Sequence, residues 1–438
     1  MPRSSTRSRH TVKYSGLVPN DCMDVVEGRV FYQGRLQKAC VGYEDGLIVS
    51  VKKALEGEEH YDFGDRLILP GAVDPHVHFR EPGLTNKEDF LSGSLSALFG
   101  GVTCVLEMPN TVPPVVDAES LREKRERILG RSWVDYGLFA CLSPGKDIEG
   151  LSNCHAFKIF MGSSTQSVLM REETDLAEAL VSAGSTDKVV SVHAEEDDML
   201  LQKDERFLRD HEECRPRGAE LRAIERLLTY QDKARLNVCH VSCPESLDLL
   251  KGSRTTFEVT PHHMLLDSSM DLGAWGKVNP PLRRRGDREA LFTAFCKGEV
   301  PMLATDHAPH APEEKERGFG EAPSGLPGVE TGFSMMLALV KRGHMSLDTL
   351  LKAASMTPAK TFGLNKGEIA EGRDADFVVI DPRDIRKISA RELHSKCGWT
   401  PFEGKEAIFP QAVFLRGRMM LRDGTIMNER CGREVSHV

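Results

Sequence analysis

The stretch Gly71-Ala-Val-Asp-Pro-His-Val-His-Phe-Arg-Glu-Pro-Gly83 decides how the rest of the chain is read. In an extended strand, side chains at i, i+2 and i+4 share one face. His76, His78 and Arg80 then project together, while Val77 and Phe79 point to the other side. Two imidazoles on one face are half of a metal site, and a guanidinium beside them suits a bound carboxylate. Alone, the spacing equally describes three unrelated polar residues on a half-exposed strand. The context has to decide.

Outward from this stretch, short apolar segments recur. After Gly71 to Phe79 come Thr103 to Glu107, Leu138 to Cys141, Ala156 to Phe160, Val189 to Val192, Leu236 to Cys239, Thr256 to Val259 and Met302 to Thr305. The intervals between them are long enough for helices, and this count of strand–helix units predicts a (β/α)8 TIM-type barrel over residues 70–366. Val30 to Arg35 and Gly46 to Val51 before it, and Asp376 to Ile380, Ala412 to Arg416 and Arg418 to Arg422 after it, read as strands between Gly and Asp breaks. They predict a small β-sandwich domain formed from both chain termini, residues 1–69 and 367–438. His307 to Gly328, rich in Pro, Gly and charge, reads as a functional loop.

The composition narrows the function classes. The chain has 438 residues, 40% hydrophobic and 28% charged, with a net charge of −9. That is a soluble globular balance, and it argues against a general nucleic-acid binder. No run reaches the length of a membrane span. The basic N-terminus is not followed by an apolar core, so it reads as a disordered tail over residues 1–20 and not as a secretory leader. The 11 cysteines are scattered without C-x-x-C pairs, which fits reduced thiols and a cytoplasmic protein.

Chemistry in such a barrel gathers at the C-terminal ends of the strands. His76 and His78 stand there on the first strand, Lys158 on the fourth, His193 on the fifth, His240 on the sixth and Asp306 on the eighth. Each alone has an ordinary explanation. Together they point to a divalent metal such as zinc. Lys158 lies between Phe157 and Ile159, where its charge is costly to bury. Two readings stay open for it: a neutral amine carboxylated to a carbamate that bridges two metals, or an ammonium paired with a neighbouring carboxylate.

The chain resembles the amidohydrolase superfamily, and within it the class I (long) dihydroorotases. The resemblance rests on Pro70 to Gly83, Glu107-Met-Pro-Asn-Thr111, Phe157-Lys-Ile-Phe-Met-Gly162, His193-Ala-Glu195, His240-Val-Ser242 and Thr260-Pro-His-His263. It continues through Val278-Asn-Pro-Pro-Leu-Arg283, Ala304-Thr-Asp-His-Ala-Pro-His310 and Gly325-Leu-Pro-Gly-Val-Glu330, and spans about residues 25 to 425. It implies two zinc ions per chain, one held by His76, His78 and Asp306, the other by His193 and His240, bridged by carboxylated Lys158. It implies that Arg80, Asn110 and His310 bind the substrate carboxylate, with Asn279 and the backbone near Pro327 and Gly328 around the ring.

The implied reaction is reversible hydrolysis of dihydroorotate to N-carbamoyl-aspartate, the ring closure of pyrimidine synthesis run backwards, with Asp306 as the proton carrier. The resemblance leaves room for a homodimer and for association with aspartate transcarbamoylase. Allantoinases and hydantoinases share much of the frame but lack the combination of Arg80 and His310. An inactive scaffold would show losses among the ligands, and none is seen. His262, His263 and His307 read equally as structural or as partners of ligands, and Glu107 as a structural acceptor.

Overall fold

A computed structural model describes residues 23–145, 148–164 and 168–436. The basic tail expected to be disordered lies outside them. Four strands open the described chain: β1 (Asp24–Tyr32), β2 (Arg35–Glu44), β3 (Leu47–Lys52) and β4 (His60–Pro70). The last of these runs through Gly71 straight into the barrel. A Cβ on Gly71 would lie 2.1 Å from Thr103 Oγ1, so only glycine lets the chain cross there.

Eight parallel strands follow: β5 (Ala72–Val77), β6 (Val102–Glu107), β7 (Asp135–Cys141), β8 (Ala156–Phe160), β9 (Val189–His193), β10 (Arg235–Val238), β11 (Thr256–Val259) and β12 (Met302–Leu303). They pair in sequence order. A bridge between Val77 and His307, with His78 N–H donating to His307 O at 2.8 Å, joins the first strand to the chain leaving the eighth. Every residue of β5 to β9 is buried, as expected of strands covered by helices outside and packed side chains inside. Phe79 packs edge-on against Phe90, at the start of the helix Phe90–Phe99, with ring centroids 5.3 Å apart. Asp89 caps that helix by accepting from Ser92 N–H.

The first strand is shorter than its sequence pattern suggested. It ends at Val77, and Arg80 has φ +62°, so strict strand alternation does not extend to the guanidinium. His76, His78 and Arg80 still gather at the barrel mouth. Val77 and Phe79 join the apolar layer beneath the helices, as the alternation required.

After the barrel come β13 (Phe377–Ile380), β14 (Arg386–Lys387), β15 (Glu406–Ala407), β16 (Ala412–Leu415), β17 (Arg418–Arg422) and β18 (Thr425–Ile426). The small domain is one hydrogen-bonded sheet of both chain ends, in the order β18-β17-β16-β13-β4-β1-β2-β3. It folds over like a sandwich, so that Tyr43 of β2 meets Phe377 and Phe414 at 5.8 and 6.5 Å. Between β13 and β16 the chain leaves this sheet, β14 and β15 pair only with each other, and the segment joining them reaches the barrel mouth. There His394 pairs with Glu330, Ser395 donates to Glu88, and Lys396 pairs with Asp89. Every cysteine among the described residues is free. No helix among them is long and apolar enough to cross a membrane.

Candidate active site

Three of the histidines commit one ring nitrogen outward and leave the other facing inward. His76 Nδ1–H donates to Glu258 at 2.5 Å, His78 Nδ1–H to Asn110 Oδ1 at 2.8 Å, and His193 Nε2–H to Glu195 at 2.8 Å. Burial holds His76 and His78 well below the usual imidazole range, reinforced by the charge of Lys158 at the first and of Arg80 at the second. Burial also lowers His193. These are therefore neutral imidazoles, and each presents a lone pair on its inward nitrogen. His78 Nε2 lies 3.1 Å and His76 Nε2 3.5 Å from the same Asp306 oxygen. Acceptor faces acceptor, which only a cation or a proton between them relieves.

The opposite side completes the set. His240 turns Nε2 toward His193 Nδ1 at 3.1 Å, and its buried Nδ1 has no partner. The His76 and His240 rings are 5.3 Å apart. Lys158, fully buried, has its Nζ 2.9 Å from Cys239 Sγ, and among the described residues no carboxylate lies within ion-pair distance of it. Of the two readings open for Lys158, the carboxylate partner is thus not found.

The backbone holds these groups under strain. His240 and Asp306 have φ of +37° and +45°, a region side-chain-bearing residues seldom adopt. Asp74 fixes the second of them. Its carboxylate accepts from the backbone N–H groups of His76 and Thr305 and from the Thr305 hydroxyl, tying the first strand to the eighth just below Asp306.

Beside the histidines, Arg80 is 2% exposed and pairs with no carboxylate among the described residues. Its Nε donates to Pro309 O, and its Nη2 lies 3.2 Å from His310 Nε2. Burial lowers its pKa only to about 10, so it remains a cation at neutral pH. Asn110 lies alongside, through His78.

The remaining expected residues lie further out. Asn279 accepts from His211 in the wall of a polar cleft of about 400 Å3 that also includes Arg215, Lys277 and Ser324. Gly328, next to Pro327, donates its N–H to His307 Nδ1. His307 therefore braces the loop after the eighth strand. His263 is bonded to Thr260 and Pro280 O, and buried His262 leaves its Nε2 unpartnered. Glu107 takes a buried ion pair from Lys124, the structural part expected of it.

Sequence reasoning passed over the partners of the candidate ligands. Glu258 was visible as a lone charge in an otherwise apolar strand, and Glu195 as the i+2 neighbour of His193. Against the push of burial, Arg215 and His193 hold the Glu195 carboxyl well below the carboxylate range, so it is a firm acceptor for His193. Lys87 and Trp399, which both touch His310, carry no such signal.

The sequence profile described as the amidohydrolase family matches residues 67–420. The chain is 38% identical over 424 residues to a dihydroorotase of Halobacterium salinarum, covering 94% of this chain and 100% of that protein. It is 39% identical over 412 residues to a dihydroorotase of Thermoplasma volcanium, covering 93% and 96%. Among solved structures, the L-hydantoinase (dihydropyrimidinase) from Arthrobacter aurescens superposes with a TM-score of 0.89 at 28% identity, covering 94% of this chain and 99% of that one. A dihydropyrimidinase from Brevibacillus agri gives 0.86 at 28% identity, covering 94% and 98%. With that likeness over nearly its whole length, and with inward lone pairs waiting for a cation, the chain belongs to the amidohydrolase family, as a hydrolytic enzyme related in sequence to dihydroorotases.

Proposed function

We propose that this protein is a dihydroorotase, hydrolysing the cyclic amide of dihydroorotate to N-carbamoyl-aspartate and catalysing the reverse ring closure. The observation that carries this reading is Arg80, a buried guanidinium that pairs with no carboxylate among the described residues, placed two residues from His78. A ring bearing a carboxylate supplies the missing anion, whereas a neutral ring leaves the charge buried and unpaired. The hydantoinase likeness of the fold supports cyclic-amide chemistry but does not account for Arg80.

The donor set suits two divalent ions such as zinc: His76, His78 and Asp306 for one, His193 and His240 for the other, with Lys158 as a carbamate between them. Support for the carbamate is that no carboxylate among the described residues lies within ion-pair distance of Lys158, and that His76, His193 and His240 lie close enough to feel its charge. Bound there, such ions would make a water acidic enough to react at neutral pH and would polarise the amide carbonyl. The chain's own residues do the rest. Arg80 and His310 orient the substrate through its carboxylate. Asp306 takes the proton from the attacking water and hands it to the ring nitrogen as the C–N bond breaks. Residues 70–366 would form the catalytic unit, with Asn279 and the backbone at Pro327 and Gly328 lining the way to the ring.

The test is turnover of metal-loaded protein on dihydroorotate, hydantoin and allantoin side by side, with metal content measured on the same sample. Dihydroorotate is the preferred substrate on this reading. Preference for either other ring would overturn it and leave the family intact.

A further inference from the structure

His310 is completely buried, and both of its ring nitrogens face cations. Nε2 lies 3.2 Å from Arg80 Nη2 and 3.0 Å from Ser324 O. Nδ1 lies 3.1 Å from Lys87 Nζ, with Glu314 further off at 3.7 Å. A lysine ammonium and a guanidinium can only donate. The lysine contact therefore requires a lone pair on Nδ1, which places the single proton of a neutral imidazole on Nε2. That N–H donates to Ser324 O, so Arg80 Nη2 faces a donor and gains no bond from His310. Burial, with Arg80 and Lys87 adding to it against Glu314, lowers the His310 pKa to about 3, which excludes the doubly protonated ring at neutral pH.

We propose that Lys87, by donating to His310 Nδ1, keeps the imidazole proton on Nε2, where it donates to Ser324 O, so that no lone pair of His310 satisfies Arg80 and the guanidinium stays open to an incoming carboxylate. The rest of the pocket is arranged around that tautomer. Glu314, 2.9 Å from Lys87 Nζ, holds the ammonium in place. Trp399 Nε1–H donates to His310 O at 2.8 Å and fixes the backbone. Gly325 keeps the imidazole edge clear, since a Cβ there would come within 2.9 Å of Nε2.

Without Lys87 the ring can carry its proton on Nδ1, toward Glu314, by giving up the Nε2–H bond to Ser324 O. Nε2 would then offer its lone pair to Arg80. The guanidinium would be satisfied from inside the protein, and an incoming carboxylate would have to displace that bond. Lys87 is thus a positioning residue that keeps the anion receptor open.

The identity of the anion rests on the dihydroorotase reading, but the tautomer does not, and the experiment separates them. In full-length metal-loaded protein with 15N-labelled histidine, the His310 resonances are assigned by comparison with His310→Gln. The wild-type ring shows its proton on Nε2, Lys87→Met moves it to Nδ1, and Lys87→Arg, which keeps a donor, restores it. Kinetically, Lys87→Met raises KM for dihydroorotate roughly tenfold to hundredfold, the worth of a charge-assisted hydrogen bond, with a much smaller change in kcat. Lys87→Arg recovers most of the loss. An Nδ1-protonated ring in the wild type, or an unchanged tautomer in Lys87→Met, overturns the proposal. So does a loss confined to kcat. If the wild type does not turn over dihydroorotate at all, the substrate reading fails and the tautomer result still judges Lys87.

Discussion

Two buried lysines at opposite ends of the barrel show how differently one fold treats the same charge. Lys366, at the N-terminal end of the strands, lies 2.8, 2.8 and 2.7 Å from Asp135, Asp374 and Asp376. Arg416 adds a second cation on Asp135. The cluster joins the barrel to the sheet domain, and each charge in it touches an opposite one. Lys158, at the other end, rests its Nζ on a thiol, with no carboxylate among the described residues within ion-pair distance. A buried charge left uncompensated costs several kcal/mol. The bottom of the molecule is built to be satisfied by the chain alone, and the top is built to be completed by something the chain does not supply.

The sharpest way to break that contrast is at Asp306, where two inward histidine nitrogens meet one carboxylate oxygen. Asp306→Asn keeps the volume but loses both the anion and the proton carrier. Turnover should fall by more than about 10⁴-fold, beyond the usual share of general acid–base catalysis. A variant that retains its metal and turns over within tenfold of wild type would remove Asp306 from the mechanism.

Next, the two lysines can be compared directly by the same substitution. Lys366→Met leaves Asp374 and Asp376 without their cation and Asp135 with Arg416 alone, and should cost about 3–5 kcal/mol, seen as a clear drop in Tm. Lys158→Met replaces an uncompensated amine with an apolar chain of similar length. Its Tm in the absence of metal should hold or rise, while metal content and activity are lost. If both variants lose stability alike, the top of the barrel is as self-sufficient as the bottom and the contrast is wrong.

Arg80 gives a smaller effect with a finer reading. Arg80→Met should lower kcat/KM for dihydroorotate by roughly 10²–10³-fold, the scale for losing one partner of a buried charge pair. Arg80→Lys should fall between, because the ammonium keeps the charge but not the planar fork. Metal content should be unchanged in both. An Arg80→Met enzyme with full activity on dihydroorotate would mean that the carboxylate is recognised elsewhere.

Much of this was legible before the structure. The eight strand segments are visible because parallel strands buried on both faces must be short apolar runs. The candidate ligands are visible because charge at the end of such a run has few cheaper explanations. What could not be read is where strand geometry gives way. His78 and Arg80 share the mouth because the chain turns at Arg80 with positive φ, not through alternation alone. Lys87 and Trp399 reach His310 from a loop and from the C-terminal segment, contacts that depend on tertiary packing and leave no periodicity.

The smallest effect lies one shell out, at Glu258, and it asks whether the top of the barrel is tuned as well as left open. Its carboxylate accepts from His76 Nδ1–H on one oxygen and from Asn237 Nδ2–H on the other. Asn237 is itself anchored, donating to Ser191 Oγ and accepting from Thr256 Oγ1. Glu258→Gln can still accept from His76, but its amide N–H2 then faces the Asn237 N–H2, and one donor must lose its partner. The neutral acceptor also makes His76 a weaker base and a poorer ligand. Metal affinity should therefore fall about 10–100-fold, the usual cost of losing a ligand's supporting partner. Because the ligand itself remains, excess metal should restore most of the activity. A loss that added metal does not repair would make Glu258 a structural element like the aspartates around Lys366. Full affinity in Glu258→Gln would show that His76 needs no such support.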